Sequence, residues 1–513
     1  MAKTEGGSGS VFSMFAVNRG YKNLTFESIL NNHLMITVEI KGQEDRVWDA
    51  LWSNGIVCNT HPKARFLDRF KWTSSNNLFS FFGVVISLVW IVIIAPLSGC
   101  GNSVIDGYCD QMSYQPGDTI TCFLSADKNE DARLNVHTLS GDVVHTFQGN
   151  LWNQPIQDSS VYEHGFHYLE SGKFVLPKLK SGVYLIENKV PFVVKPDRDA
   201  SYDALAVYSS NTENAYSNSG GRSMYSSPPA DITTFLRPIR FSHHGGAFFR
   251  WLEDQKDYNF GVVCDKDLDD QGVFNACTEL VILPGHSEYW TRKARLNFDE
   301  FVLKGGNALV LSGNTMWWQV RYSVDGNKMI CYKNEAEDPE LNKTLKTVNW
   351  TNPKLDYPIV ESIGLNFDLG GYGKKEDLGW DGFKILTTSS LIFDGINIAP
   401  LDILSLPSDE YDGAKLEFSA ETSLPTLIND FGFHRYELFG FDIASRLPNS
   451  NGAWVAFQRT DSSGIVINVG STNWCHEDGI YGVDSYRIQQ LTRNMIHILK
   501  DLESKDSVES VFN

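Results

Sequence analysis

Between residues 101 and 196 apolar and polar positions alternate in short runs. TITCFLSA (119–126), ARLNVHTLS (132–140), DVVHTFQG (142–149), GKFVLPKL (172–179), GVYLIEN (182–188) and VPFVVKP (190–196) each read as a strand. PGD at 116–118 and the Ser-Gly pairs at 140–141 and 181–182 supply turns. Strands this short at this spacing predict an immunoglobulin-like β-sandwich over 101–197, closed by a linker at Pro196-Asp197-Arg198-Asp199. From 202 the rhythm changes. DALAVYS (203–209), NFGVVCD (259–265), ELVILPG (279–285) and NALVLSGN (307–314) are continuous apolar strands. Between them, 245–256 brings Phe248, Phe249, Trp251 and Leu252 near one helical face, and 291–306 reads as a helix ending in glycines. This alternation predicts a parallel sheet covered by helices over 202–505, with ligands bound beyond the C-terminal strand ends. Residues 322–425 are rich in Gly and Asp turns with few regular runs, GFKILT (382–387) among them. WVAFQR (454–459) and GIVINVG (464–470) are strands again. A last helix near 483–502 aligns Ile488, Leu491, Met495, Ile498 and Leu502.

One segment breaks the globular pattern. Leu78 to Leu97 contains no charged residue. As a helix rising 1.5 Å per residue it would match the roughly 30 Å hydrocarbon core of a bilayer. Lys63, Arg65, Arg69 and Lys71 precede it and no Lys or Arg follows until Lys128. The positive-inside rule then puts everything after 97 outside the cytosol. The run ends Leu97-Ser98-Gly99-Cys100, which resembles a lipobox with Cys100 as the lipidated residue. A signal anchor is the other reading. Either way residues 78–100 attach the protein to a membrane with its globular part in the periplasm or at the cell surface, and residues 1–77 are cytosolic or absent from the mature protein.

Composition narrows the function classes. At 513 residues the chain exceeds a single core, so two or more domains are expected. Hydrophobic residues at 42% and charged residues at 21% exclude global disorder. A net charge of −19 leaves nothing to neutralise phosphates, which argues against nucleic acid as a partner. Of eight cysteines, Cys109 and Cys122 are spaced for a local disulfide and Cys264–Cys277 is a second option; buried free thiols are the alternative. No spacing suggests structural zinc.

Candidate chemistry gathers at the strand ends. Gly285-His286-Ser287-Glu288-Tyr289-Trp290 offers imidazole, carboxylate and phenol, as metal ligands or acid–base groups or simply as a packed rim. Ser312-Gly313-Asn314 ends the next strand ahead of paired Trp317 and Trp318, which could wall an apolar pocket; Ser312 has no GxSxG elbow around it. Asp409 to Gly413, Gly470 to His476 and Asn211 to Gly221 are further polar loops, each of which solvated turns would also explain.

NTENAYSNSGGRSMY (211–225), FFRWLEDQKDYNFGVVCDKDL (248–268), ELVILPGHSEYW (279–290), GGNALVLSGNTMWWQVR (305–321), EYDG (410–413) and GIVINVGSTNWC through LTRNM (464–495) together resemble the N,N-dimethylformamidase large (beta) subunit and its relatives over about 200–500. The resemblance implies an α/β domain of glutamine-amidotransferase-like (flavodoxin-like) fold without the amidotransferase nucleophile. It also implies a mononuclear iron held by two tyrosines and a glutamate, whose bound water attacks an amide carbonyl. Carried onto this chain, the ligands are Tyr289, Glu410 and, for the second tyrosine, Tyr258 or Tyr216. His286 or Glu288 would handle protons and Asn314 would polarise the carbonyl. The expected function is amide C–N hydrolysis on a small amide, with oligomerisation or a second subunit open. A noncatalytic surface module for a glycan or a protein is the rival, and metal-free hydrolysis by Ser312 a third reading.

Overall fold

The computed structural model describes residues 9–14, 24–30, 34–40, 104–156, 158–197, 200–241, 243–275, 279–373, 379–502 and 508–512. The expected membrane segment 78–100, Cys100, Cys58 and Cys277 lie outside them. Among the described residues no helix is long and apolar enough to cross a membrane. Residues 1–100 and 101–513 are separate units. In the first, Gly9–Met14, Leu24–Leu30 and Leu34–Ile40 form an antiparallel sheet. The rest of this account concerns the second, which is mainly β-structure in several sheets with few helices.

The predicted sandwich strands form two facing sheets. We label them β1 (Val104–Cys109), β2 (Ser113–Tyr114), β3 (Thr119–Ala126), β4 (Glu130–His137), β5 (Val143–Leu151), β6 (Gly172–Val175), β7 (Gly182–Ile186) and β8 (Val190–Val194). The sheets run β2-β8-β7-β4-β5 and β1-β3-β6. Alternate residues such as Ile120, Cys122 and Leu124 on β3 and Ala132, Leu134 and Val136 on β4 fill the space between them. That alternation is what the two-residue period of a pleated strand demands.

A nine-stranded mixed sheet follows. Its first half holds β9 (Ala204–Tyr208), β10 (Phe260–Cys264), β11 (Leu280–Gly285) and β12's neighbour in sequence, β13 (Asn307–Ser312); β12 itself (Tyr289–Thr291) belongs to a smaller sheet with β14 (Trp318–Tyr322) and β15 (Lys328–Ile330). The remaining large-sheet strands are β16 (Gly382–Ile385), β17 (Ile403–Ser405), β18 (Arg435–Ile443), β19 (Asn451–Gln458) and β20 (Ile465–Asn468), in the order β10-β9-β11-β13-β20-β19-β18-β16-β17. The pairings from β10 to β20 are parallel and the remainder antiparallel. Strands β9, β10, β11 and β13 are buried throughout, so they read as unbroken apolar runs rather than alternating ones. Helices α1 (Ser210–Tyr216), α2 (His243–Asp254), α3 (Arg292–Leu303) and α4 (Ser485–Lys500) pack beside them. On α4 Ile488, Leu491 and Met495 of the expected stripe are buried, while Leu499 is buried in place of the half-buried Ile498, and Leu502 lies past the helix end.

The chain leaves β9 to form β10 on one side, then crosses to form β11 on the other. Connections therefore diverge between the C-terminal ends of β9 and β11. In open α/β sheets, ligands bind beyond the strand ends at such a switch point.

Candidate functional site

Strand β11 delivers the first group. Gly285 turns the chain at φ +78°, a conformation that glycine adopts without steric cost. His286, Ser287 and Glu288 follow, all at most 2% exposed. The segment is braced on every side. Ser312 Oγ accepts from Ser287 N at 3.0 Å, Thr212 Oγ1 accepts from Glu288 N at 3.1 Å, and Trp290 Nε1–H donates to Ser287 Oγ at 2.9 Å. The Ser312 hydroxyl thus serves as a brace.

Strand β13 delivers the second. The Gly313 carbonyl accepts from His286 Nδ1 at 2.9 Å, which places that ring proton on Nδ1 and turns Nε2 toward Tyr216, Glu288 and Glu410. Asn314 and Met316 are left-handed at φ +49° and +54°, strained settings for non-glycine residues. Asn314 Nδ2 so held lies 3.0 Å from Glu410 Oε2 and 3.5 Å from Glu288 Oε1. Glu410 begins the short strand Glu410–Gly413, which pairs with Asn366–Tyr372.

Tyrosines close the cluster. Tyr225 OH donates to Glu288 Oε1 at 2.6 Å, and Tyr289 OH donates to Tyr225 OH at 2.8 Å. Tyr216 OH is 3.1 Å from His286 Nε2, and its ring lies 4.3 Å from that of Tyr225. Lys333 sits over this group, its Nζ 3.7 Å from the Tyr225 ring centre, 5.0 Å from that of Trp318 and 5.4 Å from that of Tyr289. Cation–π attraction holds the ammonium there.

Charge and burial set the protonation states. Burial pushes the His286 pKa down, but the Glu288 hydrogen bond and charge, with Glu410, outweigh it and raise it to about 9. Burial pushes Glu288 up, yet its His286 partner carries it below the ordinary carboxylate value. Glu410 goes the other way, raised by burial against the pull of His286. Burial also raises Asp412, whose carboxylate accepts from Thr315 N at 3.1 Å, to about 7. The phenols of Tyr216, Tyr225 and Tyr289 are all raised, by burial first and Glu288 second.

Two carboxylates of unlike acidity thus flank one imidazole. His286 Nε2 is 3.3 Å from Glu288 Oε2 and 3.6 Å from Glu410 Oε2. Glu288 Oε2 is buried with the His286 imidazole as its polar neighbour, and Asn314 Oδ1 is buried without a hydrogen-bond partner. A buried polar atom in that last state marks a place for a ligand, an ion or water. Among the described residues no group of three or more His, Cys, Asp or Glu is disposed to hold a metal ion. The phenols enlarge the donor set: Tyr216, Tyr225 and Glu288 would present hard oxygens to a trivalent cation.

The structure therefore brings together His286, Glu288, Tyr289, Asn314 and Glu410. Tyr258 is elsewhere: it precedes the N-terminal end of β10, at the end of the sheet away from His286 and Glu288, where its ring lies 5.5 Å from that of Phe260 at a tilt of 34° with Lys500 Nζ 5.6 Å from its ring centre. Tyr216 stands in the cluster. Phe248 and Phe249 are core residues. Tyr225, Lys333 and Asp412 had no role assigned from the sequence. Tyr225 lies beyond the first strand-end loop and enters the sequence reading only as the last residue of the 211–225 segment that carries the family resemblance. Lys333 comes from a stretch without periodic signal.

Comparison with known proteins places these residues in a family context. Residues 170–477, more than half of the chain, match the sequence profile described as N,N-dimethylformamidase beta subunit-like, C-terminal. No curated protein matches the chain.

Proposed function

Because the chain belongs to the N,N-dimethylformamidase beta subunit-like family, we propose that its strand-end cluster is a hydrolytic site for the C–N bond of a small amide and that it takes one iron. One observation carries this reading: Tyr225 OH donates to the buried carboxylate of Glu288, and Tyr216 OH lies 3.1 Å from the His286 Nε2 that faces the same carboxylate. Tyr216, Tyr225 and Glu288 are the proposed ligands, with Tyr289 behind Tyr225 as the donor that orients its oxygen. Iron would supply Lewis acidity to the carbonyl and to an attacking water. The chain's own groups do the rest. Asn314 Nδ2, fixed by its left-handed backbone and by Glu410, is placed to donate to the amide oxygen. Glu410 Oε2 is placed to accept the water proton. His286 Nε2, aimed by the Gly313 carbonyl, is placed to return a proton to the leaving nitrogen. The parallel half of the large sheet and the switch in its strand order support the amidotransferase-like fold within the same proposal. Attachment to a membrane through residues 78–100, with the globular part outside the cytosol, is proposed from the sequence alone.

Metal content tests the reading. Full-length protein loaded with iron is expected to retain near one iron per chain by mass spectrometry. Glu288→Gln and Tyr216→Phe/Tyr225→Phe are expected to retain less than about a tenth as much while keeping their circular dichroism, because each removes an anionic donor. Well-folded wild-type protein that binds no iron would sink the iron mechanism and favour a noncatalytic glycan- or protein-binding module.

A further inference from the structure

Five cysteines are described, all buried and all free. Three have a conventional hydrogen-bond acceptor: Cys264 Sγ lies 3.7 Å from Met112 O, Cys331 Sγ 3.9 Å from Gln319 O, and Cys475 Sγ 3.3 Å from Leu311 O. Those thiols are packed donors. Cys109 and Cys122 differ, because they stand opposite each other on two paired strands.

Their backbone setting is specific. Strands β1 and β3 are antiparallel with Cys109 directly opposite Cys122. The neighbouring pair is bonded through Asp110 N to Thr121 O at 3.0 Å, while the Cys122 carbonyl points the other way, to Ser171 N at 2.8 Å. Cys109 and Cys122 therefore form a non-hydrogen-bonded pair. Opposite Cα atoms in such a pair are about 4.5 Å apart, inside the roughly 4.4–6.8 Å that disulfides span. Both side chains face the sandwich core, at 5% and 0% exposure, so their Cβ vectors point to the same side of the sheet.

The loop they would close is one of those that tie the sandwich to the large sheet. Within 110–121, Met112 O accepts from Val193 N at 2.9 Å as well as facing Cys264, and Ser113 Oγ donates to Asp267 Oδ1 at 2.9 Å. Strand β2 in that loop pairs with β8. Asp265, beside this contact, accepts from Asn211 N at 2.8 Å, and Asn211 Nδ2 donates to the Tyr289 carbonyl at 3.0 Å.

We propose that Cys109 and Cys122 form a cross-strand disulfide, made by thiol–disulfide exchange with an oxidised dithiol or a small disulfide, and that it staples the loop docking the sandwich onto the large sheet. One cysteine thiolate attacks a sulfur of the oxidant and expels a thiolate. The second attacks the mixed disulfide and expels the other. Two protons and two electrons leave the protein, and the oxidant's S–S bond becomes two thiols. Because both sulfurs are buried, the exchange belongs to folding, before β1 and β3 close over them.

The test uses the full chain, made once in an oxidising export compartment and once in a reducing cytosol, with thiols trapped by N-ethylmaleimide in denaturant. Export is expected to give protein with two fewer alkylated sites and a peptide cross-linked between Cys109 and Cys122. The cytosolic protein should carry alkyl groups on both. The oxidised form should melt roughly 5 °C above its own reduced form, from loop closure in the unfolded chain. Cys109→Ser should abolish both the cross-link and the difference. If Cys109 and Cys122 are alkylated in exported, folded protein, or if the oxidised and reduced wild-type proteins melt together, the proposal is wrong. The wild-type comparison decides even where the serine variant fails to fold.

Discussion

Gly313 has no room for a methyl group. A Cβ there would lie 2.5 Å from the Glu410 carbonyl oxygen and 2.6 Å from Thr472 N, both backbone atoms that cannot swing aside. Gly313→Ala is therefore expected to lower the unfolding free energy by about 2 kcal/mol, read from the urea midpoint. It should also displace Glu410 from Asn314. Asn314 carries the opposite kind of constraint, a left-handed backbone whose side-chain amide donates to Glu410. Asn314→Gly relieves that strain, so its melting temperature should equal or exceed wild type. Turnover of any amide found as a substrate should fall at least about a hundredfold, as for other lost carbonyl donors. A parallel fall in stability would show that Asn314 is merely structural. At this scale the sequence was informative where chemistry lies in one run: His286, Glu288 and Tyr289 are adjacent, so a strand end predicts them jointly. It was silent where contacts span the chain. Tyr225 reaches Glu288 across 63 positions, and Lys333 reaches Tyr225 from a segment without periodic pattern. Tyr258 is drawn toward the site as a tyrosine close in sequence to Phe248 and Phe249, and its place before β10 puts it at the other end of the sheet.

Among the elements, the continuous strands and amphipathic helices were the legible ones, because burial on both faces or on one stripe leaves a signal of its own. The stretch 322–425 was opaque for the same reason. Its short strands and single 3-10 turns gain their order from long-range pairs, such as Asn366–Tyr372 with Glu410–Gly413, that no local period announces. The turn after β10 carries a measurable consequence. Asp265 is fully buried there, with Oδ2 accepting from Asn211 N and Oδ1 unpartnered. Burial lifts its pKa from 3.8 to about 8, with Asp267 adding to the rise and the Asn211 bond opposing it. A folded-state pKa above the unfolded one means the native state binds the proton more tightly. The contribution is fully present below the unfolded pKa and is lost as pH rises through about 8. Wild-type stability should accordingly decline across that window. In Asp265→Asn the side chain no longer titrates, so the melting temperature of the variant minus that of wild type should climb steadily from pH 5 to pH 9. A constant difference would mean that Asp265 does not carry the proton.

Over the whole molecule, the question is whether the sandwich is a passenger. The linker at 196–199 suggested separable modules, but the packing joins them. Val183 and Val193 of the sandwich lie in one apolar cluster with Ala204, Phe260 and Trp251 of the large-sheet region. Glu253 on α2 accepts from Leu139 N and Ser140 N, each at 3.0 Å, and from Ser140 Oγ at 2.6 Å. Ser181 Oγ accepts from Val262 N at 2.8 Å, holding β10, the outermost parallel strand. An edge strand deprived of such cover would present apolar surface and unpaired backbone to other chains. Residues 101–513 should therefore unfold in a single calorimetric transition, with van't Hoff and calorimetric enthalpies agreeing. Deleting 101–197 should leave a chain that aggregates or melts at least about 10 °C lower, since several buried side chains and a carboxylate lose their partners together. Two resolved transitions, or a truncated chain as stable as the parent, would make the sandwich an independent module. Its tie to the strand-end cluster through Asp265 and Asn211 would then have no bearing on the chemistry there.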